Sequence, residues 1–138
     1  MHWLARCTRN QIAKSEETMT FPLNWYAGWS MILAGFISGA VLGLFFHREN
    51  FLGGYMSWRR RLLRLGHIAL VALGLLNVVY AQTPFCSHSL KLAGYFLVAG
   101  GVLMPSVCAL SAWRKSLKPL FAVPVAILFG AVVLILLN

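Results

Sequence analysis

The chain has 138 residues, 59% of them hydrophobic and only 11% charged, where a soluble domain carries roughly 25% charged residues. Its mean hydropathy is +0.74; this composition excludes a soluble enzyme and a disordered tail, and the length allows one ordinary domain. Twelve Lys and Arg stand against three acidic residues, and on so apolar a chain the fitting anionic partner is the headgroup layer of a lipid bilayer, not nucleic acid.

Residues 1–24 are polar, mixed in sign and without the apolar centre of a signal peptide. Met19-Thr20-Phe21-Pro22 offers an alternative translation start just ahead of the first apolar run. Four stretches then lack Asp, Glu, Lys and Arg: Thr18 to His47, Leu65 to Leu90, Leu92 to Trp113 and Pro119 to Asn138. Each reaches the ~20 residues that cross ~30 Å of hydrocarbon at ~1.5 Å per residue. Lipid offers the backbone no hydrogen-bond partner, so each span must be a helix. The runs lack the alternation of a membrane barrel. Helices are predicted over residues 25–47, 62–82, 92–112 and 119–137, which makes 25–138 an all-α integral membrane domain, a four-helix up-and-down transmembrane bundle.

In the first helix Gly28, Gly35, Gly39 and Gly43 fall with Ile32 and Phe46 in a sector ~80° wide. Gly35, Gly39 and Gly43 form a double small-xxx-small ridge that admits a second backbone at close range. Packing within the chain is its expected use, because four helices must first pack on one another; a homo-oligomer face is the alternative. Trp25, Tyr26 and Trp29 at the start of this helix, Tyr55 and Trp58 before the second, and Tyr80 and Trp113 at the ends of the second and third mark headgroup levels.

Between the first two helices, Gly53-Gly54 marks a turn and Ser57 is placed to cap the second helix. Arg59, Arg60, Arg61 and Arg64, with Trp58, then wrap the first turns of that helix. Positive charge there opposes the helix macrodipole at a cost of a few tenths of a kcal/mol to ~1 kcal/mol each. The expected role is a topology anchor whose side chains reach to lipid phosphates. The alternative is a docking site for an acidic partner subunit or a specific anionic lipid. With Arg48, Arg114, Lys115 and Lys118, this side holds twice the positive charge of the other, which carries Arg6, Arg9, Lys14 and Lys91. Retention of positive charge in the cytoplasm places the basic loops inside and both termini outside, with the bacterial inner membrane as the expected host.

The second helix gathers Leu63, Gly66, His67, Leu70, Gly74, Asn77 and Ala81 within ~100°, an inward face that hides polar groups. His67 lies ~10 Å below the cytoplasmic boundary. Its expected role is a hydrogen bond to a backbone carbonyl or serine of a neighbouring helix. As an alternative, His67 with Met104 or His47 would ligate haem b or copper, with Cys108 one turn beyond Met104. The third helix shows Gly94, Val98, Gly101, Pro105, Cys108 and Ala112 on one stripe, and Pro105 and Pro124 inside helices three and four are expected to kink them. Cys86-Ser87-His88 reads as a solvated connector without the second ligand pair a zinc site needs. Cys7 and Cys86 would share the outer side, free to pair in an oxidising compartment.

Glu16, Glu17 and Glu49 are the only acidic residues and none lies in a span. That removes carboxylate proton relays and paired-carboxylate catalysis, and no phosphate-binding glycine loop is present. No catalytic residue, resident cofactor or metal site is expected. The expected function is that of a small non-enzymatic membrane protein, an accessory subunit or assembly factor of a larger membrane complex. The alternatives are a haem- or copper-binding bundle for electron transfer or metal handling, and a small transporter or channel, for which no charged pore lining exists.

Overall fold

The computed structural model describes residues 22–54, 56–83 and 88–137. They form four helices, α1 (Pro22–Phe46), α2 (Trp58–Ala81), α3 (His88–Trp113) and α4 (Ala122–Leu136), with 3₁₀ turns at Phe51–Gly53 and Lys115–Phe121. The α1, α2 and α3 helices and the segment Ser116–Leu136 are each long and apolar enough to cross a membrane.

The helix ends depart from the uncharged windows for identifiable reasons. Pro22 opens α1, a position with no intrahelical N–H bond to lose. The α2 helix takes in Trp58 to Arg61, and α3 takes in His88 to Lys91. Charge limits how deep a residue sits in lipid, not where backbone bonding stops. What starts α2 is Ser57, whose hydroxyl accepts the Arg60 backbone N–H at 3.3 Å. At the other end of the chain α4 is shorter than the predicted 119–137. Pro119 and Pro124 carry no N–H for the carbonyls of Lys115 and Leu120, so the chain runs as a 3₁₀ turn up to Phe121. Pro124 therefore sits in the first turn of α4 rather than in its interior, whereas Pro105 lies well inside α3.

Glycine contacts fix the directions of the helices. Gly28 and Gly74 face each other across α1 and α2: a Cβ on Gly28 would stand 2.7 Å from the Gly74 carbonyl oxygen, and one on Gly74 2.8 Å from that of Gly28. Further along, Gly35 meets Val71 and Gly39 meets His67, so α1 and α2 run antiparallel. Gly66 lies against Pro105 and Cys108, and Gly94 against Tyr80, which sets α3 antiparallel to α2. Gly100 packs on Leu128 and Gly130 on Phe96, which reverses α4 again. Two cross-contacts, Gly94 with Asn24 and Gly101 with Met31, lay α1 parallel to α3.

The array is open. The α4 helix packs on α3 and on the turn before it, and among the described residues it makes no substantial contact with α1 or α2. Buried residues make up 39% of the α3 span and 28% of α2, against 17% of α1 and 11% of the α4 span. The centre is thus α2 and α3, with α1 in their groove and α4 on the outer side of α3. Within α1 the buried residues, Asn24, Gly28, Met31, Ile32 and Gly35, are all in the first 14 positions. The outward faces are dominated by apolar side chains, including Phe36, Leu44, Ile68, Leu76, Val102 and Phe129, a surface suited to hydrocarbon.

Gly74→Val should lower stability in detergent by about 1–3 kcal/mol, because the added side chain must push two backbones apart. Gly43→Ala has nothing within 4 Å of the new methyl and should be neutral or stabilising by up to ~1 kcal/mol through helix propensity. Thermal unfolding of both variants checks the pair.

Candidate functional site

Two polar assemblies stand out, one at each end of the bundle. At the end where α1 begins, Asn24 and Asn77 are 2% and 0% exposed. The Asn24 amide donates to Asn77 Oδ1 at 2.8 Å and to the Gly94 carbonyl at 2.9 Å. The Asn77 amide donates to Leu73 O at 2.8 Å and Leu97 O at 3.3 Å. Beside them the Tyr80 hydroxyl donates to Leu90 O. One network therefore ties α1, α2 and α3 together. The close approach of Gly94 to Asn24 is what lets a short amide reach a main-chain oxygen. The network corrects two expectations. Tyr80 is a core residue, 5% exposed, rather than an outward-facing ring. Asn24 is a helix residue and a member of the network, not part of a polar N-terminal segment.

His67 lies nearer the other end. Its Nδ1 is 2.8 Å from the Gly35 carbonyl, which can only accept, so Nδ1 carries the proton. Ser38 Oγ donates to the same carbonyl at 2.9 Å and is 3.4 Å from Nδ1. The ring lies over Gly39, where a Cβ would meet Cε1 at 2.5 Å. Gly39 thus serves as the floor for an imidazole. His47 is eight residues along the chain from Gly39, about 12 Å if helical spacing is continued. Met104, from the Gly66–Cys108 and Asn77–Leu97 pairings, is level with Leu70 on α3, about one turn deeper than His67. His67 is engaged with α1, not α3. Cys108 is wholly buried against Gly66, and no group of three His, Cys, Asp or Glu side chains forms among the described residues.

The basic end is built on Arg60, which is 2% exposed. Its Nε donates to Phe51 O at 2.6 Å, and its Nη2 donates to Glu49 O at 3.1 Å and to Arg48 O. The guanidinium carbon stands 5.2 Å from the Phe46 ring centroid and 6.0 Å from that of Phe51. A buried cation needs compensation; here carbonyl oxygens and ring faces supply it. Directly after these carbonyls the chain turns through positive φ, with Leu52 at 56° and Gly53 and Gly54 at 88° and 89°. A non-glycine residue there costs of order 1–3 kcal/mol, which the clamp offsets. Phe45 stacks on Phe51 at 5.2 Å.

Of the basic residues marked in the sequence, Arg60 is therefore spent within the chain. Arg59 and Arg61 are exposed, and Arg64 has its guanidinium carbon 5.7 Å from the Phe46 centroid. Trp58 is covered by Lys118, whose Nζ is 4.7 Å from the ring centroid, and this contact joins the start of α2 to the turn before α4. Ser111 closes the same end by donating to Leu117 O at 3.5 Å. Gly35 and Gly39 face α2, and Gly43 has no neighbour within 4 Å. His88 begins α3 and is exposed. Met19, Tyr55, Cys7 and Cys86 lie outside the described residues.

Comparison with protein-family models, with curated proteins and with solved structures finds no match to this chain.

Asn77→Leu should cost about 1–2 kcal/mol in detergent, the scale of an interhelical hydrogen bond in a membrane setting, read as a lowered unfolding midpoint. Arg60→Ala should cost roughly 1.5–3 kcal/mol for bonds made by a charged donor and should open residues 47–56 to protease. Arg59→Ala, one position away and exposed, should do neither.

Proposed function

We propose that this chain is a small non-enzymatic membrane protein, an accessory subunit or assembly factor of a larger membrane complex, set in a bacterial inner membrane with its basic end in the cytoplasm. The observation that carries this reading is the open array. The second half of α1 presents Phe36, Ile37, Val41 and Leu44, and its Gly43 is bare. The α4 helix, packed on α3, presents Val123, Val125, Phe129 and Val132. Gly43 gives a neighbouring transmembrane helix a place to approach closely, and α2 and α3 hold the two flanks apart.

The sidedness rests on charge. Arg48, Arg59, Arg60, Arg61, Arg64, Arg114, Lys115 and Lys118 lie at one end, and among the described residues only Lys91 lies at the other. Positive charge stays on the cytoplasmic side. The non-enzymatic reading draws on how the polar groups in the spans are used. Asn24, Asn77 and His67 each bond to a main-chain carbonyl of another helix, and Ser30, Ser38 and Ser106 each bond back to a carbonyl of their own helix, so these groups are engaged in structure. The same geometry favours a packing role for His67 over haem or copper ligation with Met104 or His47.

A photo-crosslinking residue at position 43 or 129, expressed in the native membrane, tests the proposal. The expected result is one discrete adduct with a different membrane polypeptide, lost in a Gly43→Trp variant that melts like the wild type. Adducts with lipid alone would overturn the subunit reading, and adducts at multiples of 15.3 kDa would replace it with a homo-oligomer.

A further inference from the structure

The basic end holds an open groove of about 430 Å³ lined by Met56, Arg61, Arg64, Leu65 and Ile68. Residues 61, 64, 65 and 68 have the i, i+3, i+4, i+7 spacing of a single helical stripe. The stripe changes character along its length: two guanidiniums in the first turns of α2, then two aliphatic side chains up to about 10 Å deeper at helical rise. Leu65 and Ile68 are 44% and 59% exposed, so the apolar floor is open to the bilayer.

We propose that this groove binds one anionic phospholipid, with its phosphate on Arg61 and Arg64 and the upper part of an acyl chain on Leu65 and Ile68. Arginine suits the role because its planar fork meets phosphate oxygens two at a time. The Phe46 ring, 5.7 Å from the Arg64 guanidinium carbon, sets that head in position from the α1 side. Positive charge is in excess here: eight basic residues lie at this end, and Glu49 is the only acidic side chain among the described residues. Arg60, buried on its carbonyls, is not part of the groove, and Arg59 projects from α2 about 200° away from Arg61. A soluble phosphate would satisfy the guanidiniums but would leave the floor unused, which selects the lipid. The inference deepens the reading of the basic end as a face set against anionic headgroups. It requires only that the chain sits in a membrane, so its failure leaves the subunit proposal standing.

The test is native mass spectrometry of the full chain in detergent, titrated with phosphatidylglycerol or phosphatidylcholine. The expected result is one retained phosphatidylglycerol and weaker phosphatidylcholine binding. Arg61→Gln with Arg64→Gln should weaken retention roughly thirtyfold, at about fivefold for each basic residue near the headgroups, and Arg59→Gln should leave it unchanged. Should the double variant fold poorly, Ile68→Trp keeps both charges, fills the floor and should weaken retention by itself. Equal retention of the two lipids, or undiminished phosphatidylglycerol binding in Ile68→Trp, would overturn the proposal. So would displacement of the lipid by soluble glycerophosphate at equal concentration, which would reduce the site to a phosphate contact.

Discussion

Helices surrounded by hydrocarbon gain nothing by hiding apolar side chains from one another, since lipid tails are as apolar as leucine. What holds them together is close van der Waals contact and interhelical hydrogen bonds. This chain concentrates both in one zone. Gly28 and Gly74 bring the backbones of α1 and α2 within reach of each other's carbonyls. A turn away, Asn24 and Asn77 bond across the gap and onto α3. Neither device works alone, because short amides span three helices only where glycine has removed the intervening side chains. The polar groups are acceptable in this setting because each has a partner.

The opposite end solves a different problem. Four arginines crowd the first turns of α2, where the helix dipole disfavours them. Arg60 escapes by folding back to the turn after α1, where its head meets main-chain oxygens at the negative end of another helix. The loop is thereby stapled to α2. Arg59 and Arg61 stay exposed. One run of like charge thus divides into a buried structural cation and exposed ones, a division that depends on which way each residue points around the helix.

Between these ends the packing decreases from the centre outward. The α3 helix is buried on two sides, using Gly94, Gly101 and Cys108 toward α1 and α2, and Gly100 with Leu97 and Ala93 on its other contacts. Among the described residues the α4 helix packs substantially on one helix, α3. Such an array leaves two long apolar flanks, and on these the proposal of a role within a larger membrane assembly rests. His67 is instructive here. An ionisable residue in a span invites a functional assignment, yet its ring rests on a glycine and its proton is given to a main-chain oxygen, as a packing element would have it.

Much was legible in the sequence by itself. The number of spans and their alternation come from uncharged stretches of sufficient length, because hydrocarbon tolerates only helices with satisfied backbones. The Ser57 cap, and the asymmetry of positive charge between the two ends, were equally readable, since both are local patterns. Other features were decided only by the tertiary structure. The burial of Tyr80 and Arg60 and the role of Asn24 depend on partners brought together by the fold. Asn24 sits one residue before the predicted helix over 25–47; only the approach of Gly94, 70 positions later, turns it into a tether. Composition determines that the helices exist and suit lipid, but which faces meet depends on where glycine allows backbones to touch, and that is a property of pairs of helices rather than of any segment alone.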